Sequence, residues 1–418
     1  MGDASRILSR HLGVWAWIGL LVSACAPPEP HMGDPTAARP EFEHTTFARA
    51  RSVALTGTAD GSLYAVLGHD ARLSLARSAD GGLTFGAPTL VNPDAPAVIS
   101  PFERPAVTAA ARAVGVAWLS RDAARPGISV RYAGSPDRGR HFGPSTLINR
   151  SDEPETTMVQ TAPGVPGTPA VAWLQNGKLL LARSFDAGAT FQPVRLVDGQ
   201  VCECCQPAMA IVERRILVAY RDLEHDGQGQ AMRDIYLAAS EDGGATFSRG
   251  RRVSDAHWYL DACPVSAPAL ARTDGRLLVL WMDGRNDSGH FRRSDIWLAA
   301  SSNNGKTFSA NHRLNPDGPG YRRWPDMAVD GTGRVHAVWV TTTPSGESLF
   351  YTWSEDGGRS FARPHPLLRS PLGHRSGTIA SVSLVALPSG RMALAWVDNG
   401  GAHVGTWPAE KPPLGLTP

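Results

Sequence analysis

The sequence predicts an all-β fold, a β-propeller of four-stranded blades spanning residues 41–407. Three observations predict it: one turn pattern recurs six times, the recurrence is regular, and strand-like segments flank every copy. The copies are SADGGLTF (78–85), SPDRGRHF (135–142), SFDAGATF (184–191), SEDGGATF (240–247), SSNNGKTF (301–308) and SEDGGRSF (354–361). Their start-to-start spacings are 57, 49, 56, 61 and 53 residues, the length of one blade each.

The pattern explains itself locally. An Asp or Asn accepts hydrogen bonds from turn amides. The Gly two positions later takes a positive φ without strain. The hydroxyl ties the turn to its strand, and the Phe enters the apolar layer between units. Extended segments such as LSLARS and DIWLAAS lead into the turn, so each copy closes a hairpin. A second hairpin precedes each one, as in PALARTDGRLLVLWMD (268–283), which makes four strands per blade.

Six units end in the pattern. A seventh set of strands, 381–407, lacks both the pattern and a fourth strand. Residues 41–48 can supply that strand and close the ring, removing an open edge. Seven blades are therefore preferred, with six the alternative.

Outside the ring, residues 1–24 read as a signal peptide: Arg6 and Arg10 precede an apolar run too short for a confident span. Val22-Ser23-Ala24-Cys25 resembles a bacterial lipoprotein cleavage box, which implies lipidation at Cys25. An ordinary signal peptide cut near Ala24 is the other reading. Residues 25–40 are a proline-rich flexible tether, and 408–418 a C-terminal tail. The expected location is extracytoplasmic: the periplasm, the outer membrane or the cell surface, with a lipid anchor as the membrane attachment.

The formal net charge is +2 with no Lys/Arg block, which argues against nucleic acid. There is no Walker, dinucleotide-binding, HExxH or Gly-x-Ser-x-Gly pattern.

Strand alternation sorts the loops. The patterned turns fall on one face; the inter-blade links and the second–third loops fall on the other. That second face collects Arg104, Asp122, Arg221, Arg285, Tyr321 and Arg322, the aromatics Trp258, Tyr259 and Trp324, and Asp261 and Arg375. Functional side chains gathered on one rim predict a ligand site, a glycan or a cell-surface or periplasmic protein being the expected partner. Trp118, Trp173, Trp281 and Trp339 recur at the end of the second strand and are expected to pack between blades.

The turn pattern resembles the Asp box of BNR repeats, shared by sialidases and many other propellers. A sialidase-like site implies three arginines on a carboxylate, a tyrosine nucleophile paired with a glutamate, and an aspartate acid/base. Arg104, Arg221, Arg285 and Arg322 are candidate arginines, Tyr321 or Tyr259 the nucleophile and Asp122 the acid/base. The resemblance is incomplete. Phe102-Glu103-Arg104-Pro105 follows the first turn, lacks the family's Ile, and no Tyr–Glu pair is visible. The strings RDIYLAASEDGGATF and DACPVSAPAL, beside the CECC run, resemble a group of bacterial secreted sialidase-like propellers.

Four cysteines remain beyond the leader: Cys202, Cys204 and Cys205 in the link before the fourth blade, and Cys263 in the link before the fifth. Adjacent links place them together. Export favours disulfides; thiolate ligation of Cu or Zn, with His257 or His225 as further donors, is the alternative, and redox-active or free thiols a third.

Overall fold

The computed structural model describes residues 42, 44–121, 127–149, 155–287, 292–371, 379–411 and 413. They form seven four-stranded antiparallel sheets arranged as a propeller. The leader, the tether, Cys25, Asp122 and Arg375 lie outside the described residues.

Blades 1 to 6 each take their four strands in chain order, beginning with Ser52–Gly57, Ala106–Ala110, Thr156–Thr161, Ala208–Val212, Ala269–Thr273 and Tyr321–Val329, and blade 4 carries a two-stranded hairpin inserted between its second and third strands. Blade 7 takes three strands from the end of the chain, Ala380–Leu387, Arg391–Asp398 and Gly401–Pro408. Its fourth is His44–Phe47 from the beginning. The ring thus closes as the sequence anticipates, with Thr45 opposite Val404. Phe42 packs on Trp396 and Trp407 beside the seam. No helix among the described residues is long and apolar enough to cross a membrane.

The core is divided into inter-blade layers. Trp118, Trp173, Trp281 and Trp339 are almost fully buried, each against the preceding blade: Trp118 meets Tyr64 and Val66, and Trp281 meets Leu217 and Ala219. The turn phenylalanines follow the same rule. Phe142 joins the layer between blades 1 and 2, and Phe308 that between blades 4 and 5. At about 25 cal/mol per Å2, such aromatic burial adds to the aliphatic packing that holds neighbouring blades together.

Each turn is self-contained. In the first, Asp80 accepts from the Leu83 and Thr84 amides (3.1 and 3.0 Å) and the Thr84 hydroxyl, while the Ser78 Oγ accepts from Gly82. In the third, the Thr190 hydroxyl and amide hold the Asp186 carboxyl down at about 2. The turn glycine also meets the neighbouring blade. Gly139 has φ +77°, and a Cβ there would lie 2.1 Å from Leu75.

Candidate functional site

The starts of the innermost strands converge at one end of the central channel. Pro101, Phe102 and Arg104, then Met158, Cys204 and Gln206, then Val265, Trp324 and Val382 line a pocket there. Below it, a channel of about 470 Å3 runs between the innermost strands.

The backbone around this mouth is strained. Met158, Val265, Trp324 and Ser381 all line the pocket, and all have positive φ, between 46° and 54°. Bulky residues rarely adopt this region, and such strain concentrates at functional sites. Three of the four sit at bulges, where the register shifts between Thr157 and Gln160, Arg323 and Asp326, and Ala380 and Ser383. A bulge re-aims side chains, here at the channel mouth.

Arg104 holds the floor. Its Nε donates to Gln206 Oε1 (2.9 Å) and its Nη1 to the Val382 carbonyl (2.6 Å). Burial lowers its pKa, opposed by the charge of Asp326. Burial likewise raises the Asp326 carboxyl, against Arg104 and the Leu384 and Met327 amides, which donate to it. Trp324 forms one wall, fixed by its indole N–H on the Val265 carbonyl (2.8 Å) and capped by the Arg323 guanidinium at 4.4 Å. The half-exposed Phe102 ring lies 6.1 Å from it.

Sequence reasoning did not single out Asp326, though a signal existed. The innermost strands of blades 2, 4 and 5 begin on a Pro-Ala pair (Pro105-Ala106, Pro207-Ala208, Pro268-Ala269), whereas that of blade 6 carries Pro325-Asp326 within Tyr321–Val329. A carboxylate replaces a core alanine at an innermost position.

The other candidate arginines do not line this pocket. Arg221 is 1% exposed and donates to the Arg233 and Met282 carbonyls, both at 2.8 Å. Arg285 is held by Asp283 and Asp255 and lies 4.0 Å over Trp297. Arg322 caps the carbonyls of Ser294, Gly320 and Gly318. Tyr321 donates to the Pro264 carbonyl, and burial raises its pKa. Trp258 is buried beneath Arg221, out of reach of a sugar ring; Tyr259 and Asp261 are exposed on the link beside it. A Tyr–Glu pair does exist, where none was expected: Tyr236 donates to Glu224 (2.7 Å). It is clamped by Arg252, and neither partner lines the mouth.

Cys202, Cys204 and Cys205 fold into one turn, with sulfur separations of 3.4, 3.9 and 3.9 Å. All four described cysteines are free, so the expected disulfide is not formed. Arg233, at the base of a hairpin inserted in blade 4 (Glu224–His225 with Ala231–Met232), donates to Cys202 Sγ at 2.9 Å. Hydrogen bonds from Cys204, Cys205 and Cys263, with Arg233, favour the thiolate at Cys202. Cys204 is pushed up by its bond to Cys202, and burial pushes Cys205 up to about 12. The three sulfurs lie close enough together to hold a metal ion. The histidines do not join them: His257 is bonded to Arg252, and His225 to Gln200. Gln206, next in sequence, joins the cluster to Arg104.

A family model described as BNR repeat-like domain matches residues 114–337. The chain belongs to the BNR repeat-like family. That match runs from the second strand of blade 2 to the second strand of blade 6 and includes the cysteine cluster; Arg104 lies just before it. No curated protein matches the chain. Among solved structures, this BNR-type propeller is similar to a PL25 polysaccharide lyase, an ulvan lyase bound to -[GlcA(1-4)Rha3S]-. The TM-score is 0.56 at 12% identity, covering 87% of this chain and 95% of that one. It also matches an α-L-arabinanase from Penicillium chrysogenum (0.49, 11%, 77% and 97%) and a sialidase from Trypanosoma rangeli (0.46, 14%, 76% and 59%). At these identities the likeness is one of fold.

Proposed function

We propose that this BNR propeller is an exported, lipid-anchored binding protein that takes an acidic glycan at the channel mouth. The observation that carries the reading is the mouth itself: a pocket edged by strained residues, walled by Phe102 and Trp324 and floored by the Arg104 guanidinium. Aromatic faces suit sugar rings, and a guanidinium suits a carboxylate or sulfate. A glycan borne on a surface protein satisfies the same chemistry. Lipid attachment at Cys25 rests on the cleavage-box resemblance, and fatty-acid labelling lost in Cys25→Ser tests it.

A sialidase-type hydrolase is the second reading. Such a reaction needs its arginines, a Tyr–Glu pair and an acid at one pocket. Arg221, Arg285 and Arg322 are engaged elsewhere, and Tyr236 with Glu224 sits away from Arg104, which favours binding without turnover.

Binding of acidic oligosaccharides, measured by calorimetry with a fluorogenic sialoside assayed in parallel, decides between them. Arg104→Ala and Trp324→Ala are expected to weaken binding about tenfold or more, each removing one anchoring contact. Sialoside turnover that disappears in Arg104→Ala would establish the enzyme and overturn the binding reading.

A further inference from the structure

The cysteine turn has the geometry of a metal-binding site. Three of four consecutive residues bring their sulfurs to one point. The fourth, Glu203, turns away: its carboxylate accepts from the Gly177 amide, and its carbonyl accepts from Thr157 Oγ1 at 2.8 Å. Cys202 and Cys205 are each 1% exposed, and Cys204 is half-buried where it lines the mouth pocket. The cluster therefore has an interior and one open side, which is what an ion needs to enter.

The spacing can be tested against bond lengths. A point equidistant from sulfurs 3.4, 3.9 and 3.9 Å apart lies about 2.2 Å from each, close to the ~2.3 Å of a metal–thiolate bond. A bond of ~2.3 Å places the ion slightly off the plane of the sulfurs, so the triad supplies three ligands and coordination number turns on whether a fourth donor is in place. Structural zinc takes four ligands in a tetrahedron. Among the described residues no fourth donor is closed on all three sulfurs: Cys263, on the exposed neighbouring link, interacts with Cys202 but stands outside the group whose sulfurs lie within 4.8 Å of one another, and both nearby histidines are bonded elsewhere. Soft thiolates select Cu(I) and zinc alike, and a set of three sulfurs with no fourth donor closed on it satisfies Cu(I) where it leaves tetrahedral zinc one ligand short. Arg233, 2.9 Å from Cys202 Sγ and anchored by its Nε on the Leu260 carbonyl, offsets the excess negative charge of such a centre.

We propose that Cys202, Cys204 and Cys205 bind one Cu(I) ion in three-sulfur coordination at the wall of the channel mouth. The ion sits beside the Arg104 pocket and does not depend on the glycan reading, because copper binding is measured with no glycan present. Arg233 is a positioning residue that fixes Cys202 and balances charge.

The experiment uses the mature exported chain, reduced under anaerobic conditions and titrated with Cu(I) against a chromogenic Cu(I) chelator. One equivalent is expected, with thiolate-to-copper absorption in the ultraviolet, and X-ray absorption reading three sulfurs at about 2.2–2.3 Å. Cys204→Ser is expected to cost about 100-fold in affinity, while Cys263→Ser and His257→Ala stay within about twofold. Cys204 is half-buried, so its serine variant should keep the wild-type unfolding midpoint; if it does not, the X-ray absorption of the wild type carries the test. Three results overturn the proposal: no bound copper, a zinc ion held by four sulfurs including Cys263, or a disulfide within Cys202–Cys205 in the metal-free protein as isolated.

Discussion

The two faces of the ring are built on opposite principles. On the turn face, nearly identical octapeptides satisfy themselves within five residues, as Asp80 does with Ser78, Leu83 and Thr84. On the mouth face no two links are alike, and their partners come from far along the chain: Arg104 reaches Val382, and Trp324 reaches Val265. Repetition here encodes the scaffold, and departure from repetition encodes the site. The acids of the conspicuous motif are consumed as turn acceptors. Chemistry is left to residues that break the pattern, such as Asp326 in place of an alanine and three cysteines in one link.

Substitutions can break or sharpen this contrast. The largest effect is expected at the seam. Deleting residues 42–47 removes the fourth strand of blade 7 and bares the edge of Gly401–Pro408. Thermal unfolding should fall by about 10 °C or more, with aggregation that grows with concentration. Next is Arg221→Ala, which strands the Arg233 and Met282 carbonyls and uncovers Trp258. A loss of about 3 kcal/mol in chemical denaturation is expected, with acidic-glycan binding unchanged; weakened binding would instead place Arg221 in the site.

A pH effect follows. Burial, with the charges of Asp198 and Glu224, raises the Asp222 carboxyl to about 7. The folded state thus holds a proton that the unfolded chain releases near pH 4. The resulting stability is fully present below pH 4 and lost as pH rises to 7, a term of roughly a few kcal/mol. Asp222→Asn should flatten this part of the stability profile between pH 4 and 7. An unchanged slope would assign it to other groups. The smallest effect is expected on the turn face, where Asp186→Ala should lower the unfolding midpoint by about 2–4 °C and leave both copper and glycan binding intact.

The scaffold was legible in the sequence because its determinants are local. Turn spacing gave the blades, alternation gave the faces, and the missing fourth strand of 381–407 pointed to 41–48. The site was only partly legible. Sequence places Arg104, Trp324 and the cysteines on one face. It does not show that Arg221, Arg285 and Arg322 meet carbonyls and carboxylates of their own, because partners such as Met282, Asp255 and Ser294 are brought to them by neighbouring blades and links. The Tyr236–Glu224 pair was hidden for the same reason: it needs the inserted hairpin to fold back over its own blade.

The seam also sets an order of events. Thr46 bonds His403, a partner 357 residues further along the chain. During synthesis, the first strand of the ring has nothing to pair with until almost the last one emerges. Closure is therefore the final act of folding and a slow one. Until then the strand is an unpaired template, open to pairing with other chains.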